Sequence, residues 1–287
     1  MGLIISVKIV KILPSFLLYR FAKTISTLGY FIARRQRRIA LESLTIAFGN
    51  KKSKQELKEI VRECFDYIAQ SAVEMMFLMD RPYLLKERIL LQGKEILDKA
   101  LSAQRGVILV SAHFGNFPLM LYRLVLEGYK VAGIMRPMRD ARVERIFLEK
   151  RNKLGIKTIY SQPRPRCVNE TLKSLRNNEI VFIPLDQNFG TGGVFVDFFG
   201  RKAATATGPV IFAQRTKAAI IPCFIVRERD GFQKIIFESV LNLENGKDAQ
   251  ETILLNIQRI TNIIERYIRD YPAQWGWIHR RWKSQPN

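Results

Sequence analysis

The chain is poor in the residues that build metal and disulfide scaffolds. It holds three cysteines, Cys64, Cys167 and Cys223, set far apart. An odd, scattered set argues against a disulfide framework and fits a reducing compartment. Only two histidines are present, His113 and His279. So few histidines and cysteines leave no ligand set for structural zinc, and no metal site is expected. Acidic residues are missing altogether from residues 1–40, which carry Lys8, Lys11, Arg20, Lys23, Arg34, Arg35, Arg37 and Arg38. That stretch also lacks the roughly 18 unbroken apolar residues of a membrane-spanning helix. A lysine or arginine interrupts each apolar run, and Pro14 adds a break. A cleaved signal peptide fits poorly, because no small-residue cleavage site follows a clean apolar core. Repeats and low-complexity linkers are absent as well.

What is abundant is positive charge. Lysine and arginine outnumber aspartate and glutamate 47 to 26, a net charge of +21 across 287 residues. Such a surface suits nucleic acid, an anionic membrane or an acidic protein. In residues 1–40, Leu3-Ile4-Ile5, Ile9-Val10, Phe16-Leu17-Leu18 and Tyr30-Phe31-Ile32 fill the gaps between the cations. The pattern reads as a basic amphipathic segment in a membrane interface, with Arg34 and Arg35 toward anionic headgroups. The competing reading is an ordinary packed helix with a solvated basic face. All three tryptophans fall within residues 275–282, beside Arg280, Arg281 and Lys283. On a helix, Trp275, His279 and Trp282 would share one face. Trp275 and Trp277 are therefore expected at the membrane surface, and His279 is read as structural. Aromatic and basic residues together also suit single-stranded nucleic acid. No recognised nucleic-acid motif accompanies them, so no nucleic-acid partner is expected.

The apolar share of 47% excludes wholesale disorder. Ser53 with Glu56 has capping-box spacing and opens a helix over about 53–80. From about residue 106 strands and helices alternate. Gly106 to Ala112 (GVILVSA) is a continuous apolar run, as a buried parallel strand requires. Lys130 to Met135, Glu179 to Pro184, Ala219 to Val226 and Lys234 to Val240 read as further strands. Helices are expected near 117–128, 139–154, 166–177, 207–217 and 248–270. The fold class is α/β: a mixed, mainly parallel sheet flanked by helices, with a mainly helical N-terminal region. The expected organisation is a membrane-associated segment over 1–40 and a single α/β domain over 41–287.

In such sheets the reacting groups gather at the carboxyl ends of the strands. GVILVSA is followed by His113-Phe114-Gly115-Asn116-Phe117-Pro118, and EIVFIP by Leu185-Asp186-Gln187-Asn188. His113 stands between a strand and a helix for which Asn116 is a good N-cap and Pro118 a good early residue. Gly115 lets the backbone turn. One reading of His113 is a general base beside a helix N-terminus that favours a developing anion. The other is a structural histidine in a turn.

His-Phe-Gly-Asn after an apolar strand resembles the lysophospholipid-acyltransferase superfamily, and more narrowly the bacterial late acyltransferases that add secondary acyl chains to lipid A. The resemblance spans nearly the whole chain. Arg34 to Phe48 (RRQRRIALESLTIAF), Met135-Arg136-Pro137 and Leu185-Asp186-Gln187 are similar to segments of that family. So are Gly193 to Gly200 (GVFVDFFG), Thr207-Gly208-Pro209 and Tyr271 to Trp282 (YPAQWGWIHRRW). It implies an acyltransferase with no cofactor of its own. The donor would be acyl-acyl carrier protein or acyl-CoA, and the acceptor a hydroxyl of a membrane glycolipid, a lipid A precursor being the simplest. The implied partners are an anionic membrane surface, an acidic acyl carrier protein and the glycolipid. The implied location is the cytoplasmic face of the bacterial inner membrane. The implied site has His113 as base, with Gly115, Asn116, Gln187, Phe198 and Phe199 on the substrates.

One position departs from the family pattern. The family has an acid five residues after the histidine, where this chain has Pro118. An orienting carboxylate can be worth up to ~10⁴ in turnover. Three readings stand: another carboxylate has taken over, His113 works unaided, or the protein is a non-catalytic or altered-specificity lipid-binding relative. Glu127, nine residues past Pro118, falls on the opposite side of the helix. Asp186, at the end of a separate strand, is the favoured replacement and Glu74 the second. Arg136 either holds an anionic headgroup or the reaction's oxyanion, or pairs with Asp186. Phe195, Phe198 and Phe199 either line an acyl tunnel or pack in the core. Gly190 to Gly193 lacks the lysine of a phosphate loop and reads as a mobile loop near the cleft. Cys223 reads as core.

Overall fold

A computed structural model describes residues 15–49, 51–228 and 231–286. The expectations resting on Leu3 to Lys11 and on Pro14 lie outside the described residues. Three helices come first, α1 (Ser15–Ile32), α2 (Arg34–Phe48) and α3 (Lys54–Leu78). Ser53 and Glu56 form the capping box, with Ser53 Oγ accepting from Glu56 N at 3.2 Å and Ser53 N donating to Glu56 Oε2 at 2.7 Å. α1 lies antiparallel on α3. Tyr19 donates to Glu74 at 2.9 Å, Ser26 to Asp66 at 2.5 Å, and the Tyr30 and Phe65 rings meet at 5.6 Å. Leu18, Ala22 and Ser26 are buried by this contact, while Ile25, Leu28, Phe31 and Ile32 are left exposed. Arg34 and Arg35 are exposed at the start of α2. α1 thus buries one stripe and shows solvent an apolar one, which the packed-helix reading did not foresee. Among the described residues, no helix is long and apolar enough to cross a membrane.

The rest of the chain builds the sheet. The elements are α4 (Pro82–Arg88), β1 (Ile89–Gln92), α5 (Lys94–Ser102), β2 (Val107–Ser111), α6 (Phe117–Leu126), β3 (Val131–Met135), α7 (Ala141–Lys153), β4 (Ile156–Tyr160), α8 (Arg164–Arg176) and β5 (Ile180–Pro184). There follow β6 (Val194–Phe198), β7 (Arg201–Thr205), α9 (Gly208–Thr216), β8 (Ala219–Arg227), β9 (Gln233–Phe237) and α10 (Ala249–Asp270). Seven strands pair in the order β1-β9-β8-β2-β5-β3-β4. Only β8 and β9 pair antiparallel. β2 is central and its five residues are fully buried, which accounts for their uninterrupted apolar run. The sheet buries one cluster of side chains on each face. β6 and β7 form a separate antiparallel hairpin. It leans on α10, whose Gln258 accepts from Asp197 N at 2.7 Å and whose Glu265 accepts from Phe199 N at 2.5 Å.

Three elements differ from expectation. β1 interrupts the helical first hundred residues, β4 lies where no strand was read, and the hairpin occupies a stretch read as motif and loop. β4 is an edge strand of the sheet, as β1 is at the other end, and only Ile156 and Ile159 of it are buried, so it lacks the continuous apolar run of the central strands.

Candidate active site

The sheet register determines which side chains meet. β2 and β5 are adjacent and parallel, with Ser111 opposite Pro184. Leu185 N donates to Ser111 O at 2.9 Å, so the ladder extends one step past the strands. Two residues beyond the paired positions stand His113 on one strand and Asp186 on the other. His113 Nδ1 lies 2.8 Å from Asp186 Oδ1. The second oxygen, Oδ2, accepts from the Trp275 indole N–H at 2.8 Å. Gln187 Nε2 lies 3.3 Å from His113 Nε2. The Asp186 side chain is wholly buried, whereas that of His113 is 33% exposed.

These surroundings fix the ionisation of the pair. Burial would raise the Asp186 pKa, but the His113 charge and hydrogen bond, the His279 ring and the Trp275 N–H outweigh it and hold it far below the usual carboxylate range. Burial would lower the His113 pKa, but the Asp186 charge and hydrogen bond win and raise it above the ordinary imidazole value of 6.5. An ionised carboxylate only accepts, so Nδ1 of His113 carries a proton. The lone pair of the neutral ring is then on Nε2, the nitrogen turned away from Asp186. The Phe117 ring stands edge-on to His113 at 5.4 Å and stacks on Phe182 at 5.7 Å, walling one side.

The turn after β2 is tightly constrained. Gly115 has φ +62°, and a Cβ there would sit 1.9 Å from Ile225 O of β8. Only glycine fits both the conformation and the approach. Asn116 occupies the N-cap position of α6, but its side chain makes no capping bond; it is buried and donates to Ser71 O of α3 at 3.0 Å. Pro118 sits in the first turn of α6, where its missing N–H costs nothing.

Several expectations need correction. Trp275 and Trp277 are not at the surface: they are 1% and 0% exposed. No helix carries Trp275, His279 and Trp282 on one face, since a single 3₁₀ turn (Pro272–Gln274) is followed by irregular chain. Each indole N–H finds an acceptor inside the protein. Besides the Trp275 bond to Asp186, Trp277 donates to Pro272 O at 2.6 Å and Trp282 to Phe198 O at 3.1 Å. Phe198 and Phe199 do not line an open tunnel. They are buried against each other at 4.9 Å and against Trp282, Trp275 and Trp277 with centroids 5.5 to 6.4 Å apart. Glu74 is no partner for His113: it is buried in a salt bridge to Arg227, with Tyr19 and Gln233 donating to it. Glu127 pairs with Arg123 and Lys86. Arg136 is exposed just past β3, and Asp186 is engaged by His113 and Trp275 instead. Gly190–Gly192 forms a 3₁₀ turn leading into β6. Cys223 is buried in β8, as core.

Residues that sequence reading did not place at the site come from the segment after α10. Gln274 O accepts from Gly115 N at 2.9 Å, and Phe114 forms a β-bridge with Trp275. His279 packs its ring on Trp275 at 4.9 Å, with Nε2 3.1 Å from Asp186 O. Arg281 is 1% exposed and donates to Gln187 O at 3.0 Å and Ala204 O at 2.6 Å. The available signal was the gathering of all three tryptophans in eight residues, which a buried cluster explains as well as a membrane belt does.

A histidine backed by a buried carboxylate, at the carboxyl edge of a mainly parallel sheet and before a helix N-terminus, is an arrangement that can serve an enzyme working through a general base. Comparison with known proteins narrows the class. The chain belongs to the bacterial lipid A biosynthesis acyltransferase family, whose profile matches residues 2–284. It is 25% identical over 281 residues to the lipid A biosynthesis lauroyltransferase of Escherichia coli (strain K12), covering 96% of this chain and 88% of that one. It is 28% identical over 193 residues to the phosphatidylinositol mannoside acyltransferase of Mycobacterium tuberculosis (strain CDC 1551 / Oshkosh), covering 66% of this chain and 58% of that one. Among solved structures, the 1-acyl-sn-glycerophosphate acyltransferase PlsC from Thermotoga maritima aligns at 13% identity with a TM-score of 0.38, over 88% of this chain and 97% of that one.

Proposed function

We propose that this acyltransferase moves a fatty acyl chain from an acyl thioester, carried by acyl carrier protein or coenzyme A, to a hydroxyl of a membrane glycolipid. The names of the relatives support a glycolipid acceptor, since one acts in lipid A biosynthesis and another on a phosphatidylinositol mannoside. A lipid A precursor is the acceptor favoured by the family match and its coverage. The observation that carries the reading is the 2.8 Å contact between His113 Nδ1 and Asp186 Oδ1, in a chain with proline at position 118. A carboxylate from the neighbouring strand fills the role that Pro118 leaves open.

The chemistry follows from the tautomer. The acceptor hydroxyl displaces Gln187 from His113 Nε2 and gives that nitrogen its proton as its oxygen attacks the thioester carbonyl. The imidazolium so formed is stabilised by Asp186. The tetrahedral oxyanion forms near the positive end of α6. Collapse breaks the carbon–sulfur bond, and the departing thiolate takes the proton from His113 Nε2, restoring the neutral base. Arg136 stands two strands from β2, about 10 Å at the usual strand spacing. Its guanidinium is exposed, which suits an anionic headgroup of the acceptor. The +21 charge favours an anionic membrane surface and an acidic carrier protein as partners.

The test is thiol release from an acyl thioester, with the acylated lipid identified by mass spectrometry. Purified protein with a membrane lipid extract is expected to release thiol and form a new acyl ester, and His113→Ala is expected to do neither. Persistent transfer by folded His113→Ala refutes the assignment.

A further inference from the structure

The carboxylate of Asp186 has two hydrogen-bonding neighbours, and the acyl-transfer reading uses only one. Oδ1 faces His113 Nδ1 at 2.8 Å, and Oδ2 accepts from Trp275 Nε1 at 2.8 Å. Two well-made bonds to a wholly buried carboxylate fix its rotation as well as its place. Trp275 is itself held on all sides. Its backbone bridges Phe114, its carbonyl accepts from Cys64 Sγ at 3.2 Å, and its ring meets Trp277 at 4.5 Å, Phe198 at 5.7 Å and His279 at 4.9 Å. The indole N–H thus reaches the site from a rigid mount that includes α3, the β6–β7 hairpin and the turn after β2.

We propose that Trp275 is a positioning residue of the acyl-transfer site: its indole N–H locks the Asp186 carboxylate so that one oxygen faces His113 and His113 keeps the tautomer with its base on Nε2. The claim rests on the acyl-transfer reading of His113 and adds to it a residue that touches neither substrate. Without the indole N–H, the buried oxygen Oδ2 has no partner, and the carboxylate is free to rotate or to draw the imidazole proton more strongly. Partner loss at a buried carboxylate concentrates its charge on the remaining bond, so the His113 pKa rises. Geometry and proton affinity then change together: the misaligned imidazole transfers the proton more slowly, and the higher proton affinity leaves less of His113 in its base form at a given pH, without removing a substrate contact.

The experiment compares wild type, Trp275→Phe, Asp186→Asn, the double variant and His113→Ala, with kcat, KM and the pH profile of kcat/KM measured for each. Because Trp275 is buried, a second form replaces it with β-(3-benzothienyl)alanine, which keeps the bicyclic shape and substitutes sulfur for N–H. Loss of the N–H is expected to lower kcat about tenfold or more, leave KM within about twofold, and move the acidic limb of the profile to higher pH. In the Asp186→Asn background the same change is expected to cost little, since the two residues act on one bond. Wild-type kcat and an unmoved limb in the benzothienyl form overturn the proposal, as does a full, additive loss in the Asp186→Asn background. If His113→Ala stays active, the underlying reading fails instead, and that result is read from a different variant.

Discussion

His113 and Asp186 are separated by 73 residues and brought together by one register choice between β2 and β5. The pair predicts a pH dependence. The His113 pKa is raised, so the base form appears only as pH climbs above the ordinary imidazole value. The acidic limb of kcat/KM is therefore expected above about 6.5. Asp186→Asn removes the charge and leaves burial to act alone, so that limb is expected to move down in pH while kcat falls by about 10²–10⁴; pH-rate profiles of both proteins check this. The same shift has a stability sign. A raised histidine pKa contributes stability that is fully present below the unfolded value and lost as pH rises through the folded one. Gly115 sets a second residue-scale limit. Gly115→Ala places a carbon 1.9 Å from Ile225 O at a positive φ. Loss of activity together with a lowered Tm is expected, measured by thermal unfolding beside the transfer assay.

Elements explain what was legible in the sequence. The central strands were readable because burial on both faces demands unbroken apolar runs such as GVILVSA and EIVFIP, and His113 and Asp186 were readable because they follow those runs. The edge strand β4, with Lys157 exposed beside Ile156, carries no such signal. The Trp275 to Trp282 segment misled for a different reason. A ring that needs apolar surroundings and an N–H that needs an acceptor is served equally well by a membrane interface and by a core with a carboxylate in it. Burial of Trp275 with its N–H on Asp186 is a long-range fact that local spacing does not encode. Glu74 shows the same limit, since its place in the helical region before the sheet said nothing of its partner Arg227 on β8. That bridge ties α1, α3, β8 and β9 together. Glu74→Ala leaves a buried guanidinium without its counter-charge, and a loss of about 3–5 kcal/mol is expected from urea unfolding.

At the scale of the whole molecule, the charge and the exposed apolar surface coincide at α1 and α2. Ile25, Leu28 and Ile32 fall on one stripe of α1 beside exposed Phe31, and Arg34 and Arg35 follow directly. This geometry suits a helix lying on a membrane, apolar stripe down and cations toward headgroups. Arg34→Glu with Arg35→Glu is expected to weaken binding to anionic vesicles by at least about fivefold per replaced cation, given about 1 kcal/mol for each. Leu28→Asp with Phe31→Asp is expected to weaken it in high salt as well, and vesicle cosedimentation distinguishes the two contributions. Equal binding of all three proteins excludes this face as the docking surface.

The segment from Tyr271 to Ser284 closes the site from the far end of the sequence, and this gives its assembly an order in time. A ribosome releases His113 and Asp186 long before Trp275 and Arg281. Until those last residues arrive, Gly115 N, Asp186 Oδ2 and Gln187 O lack the partners they have in the folded protein. A nascent chain that already holds His113 and Asp186 therefore has an unfinished centre, completed only when Tyr271 to Ser284 has been made and has folded back against it.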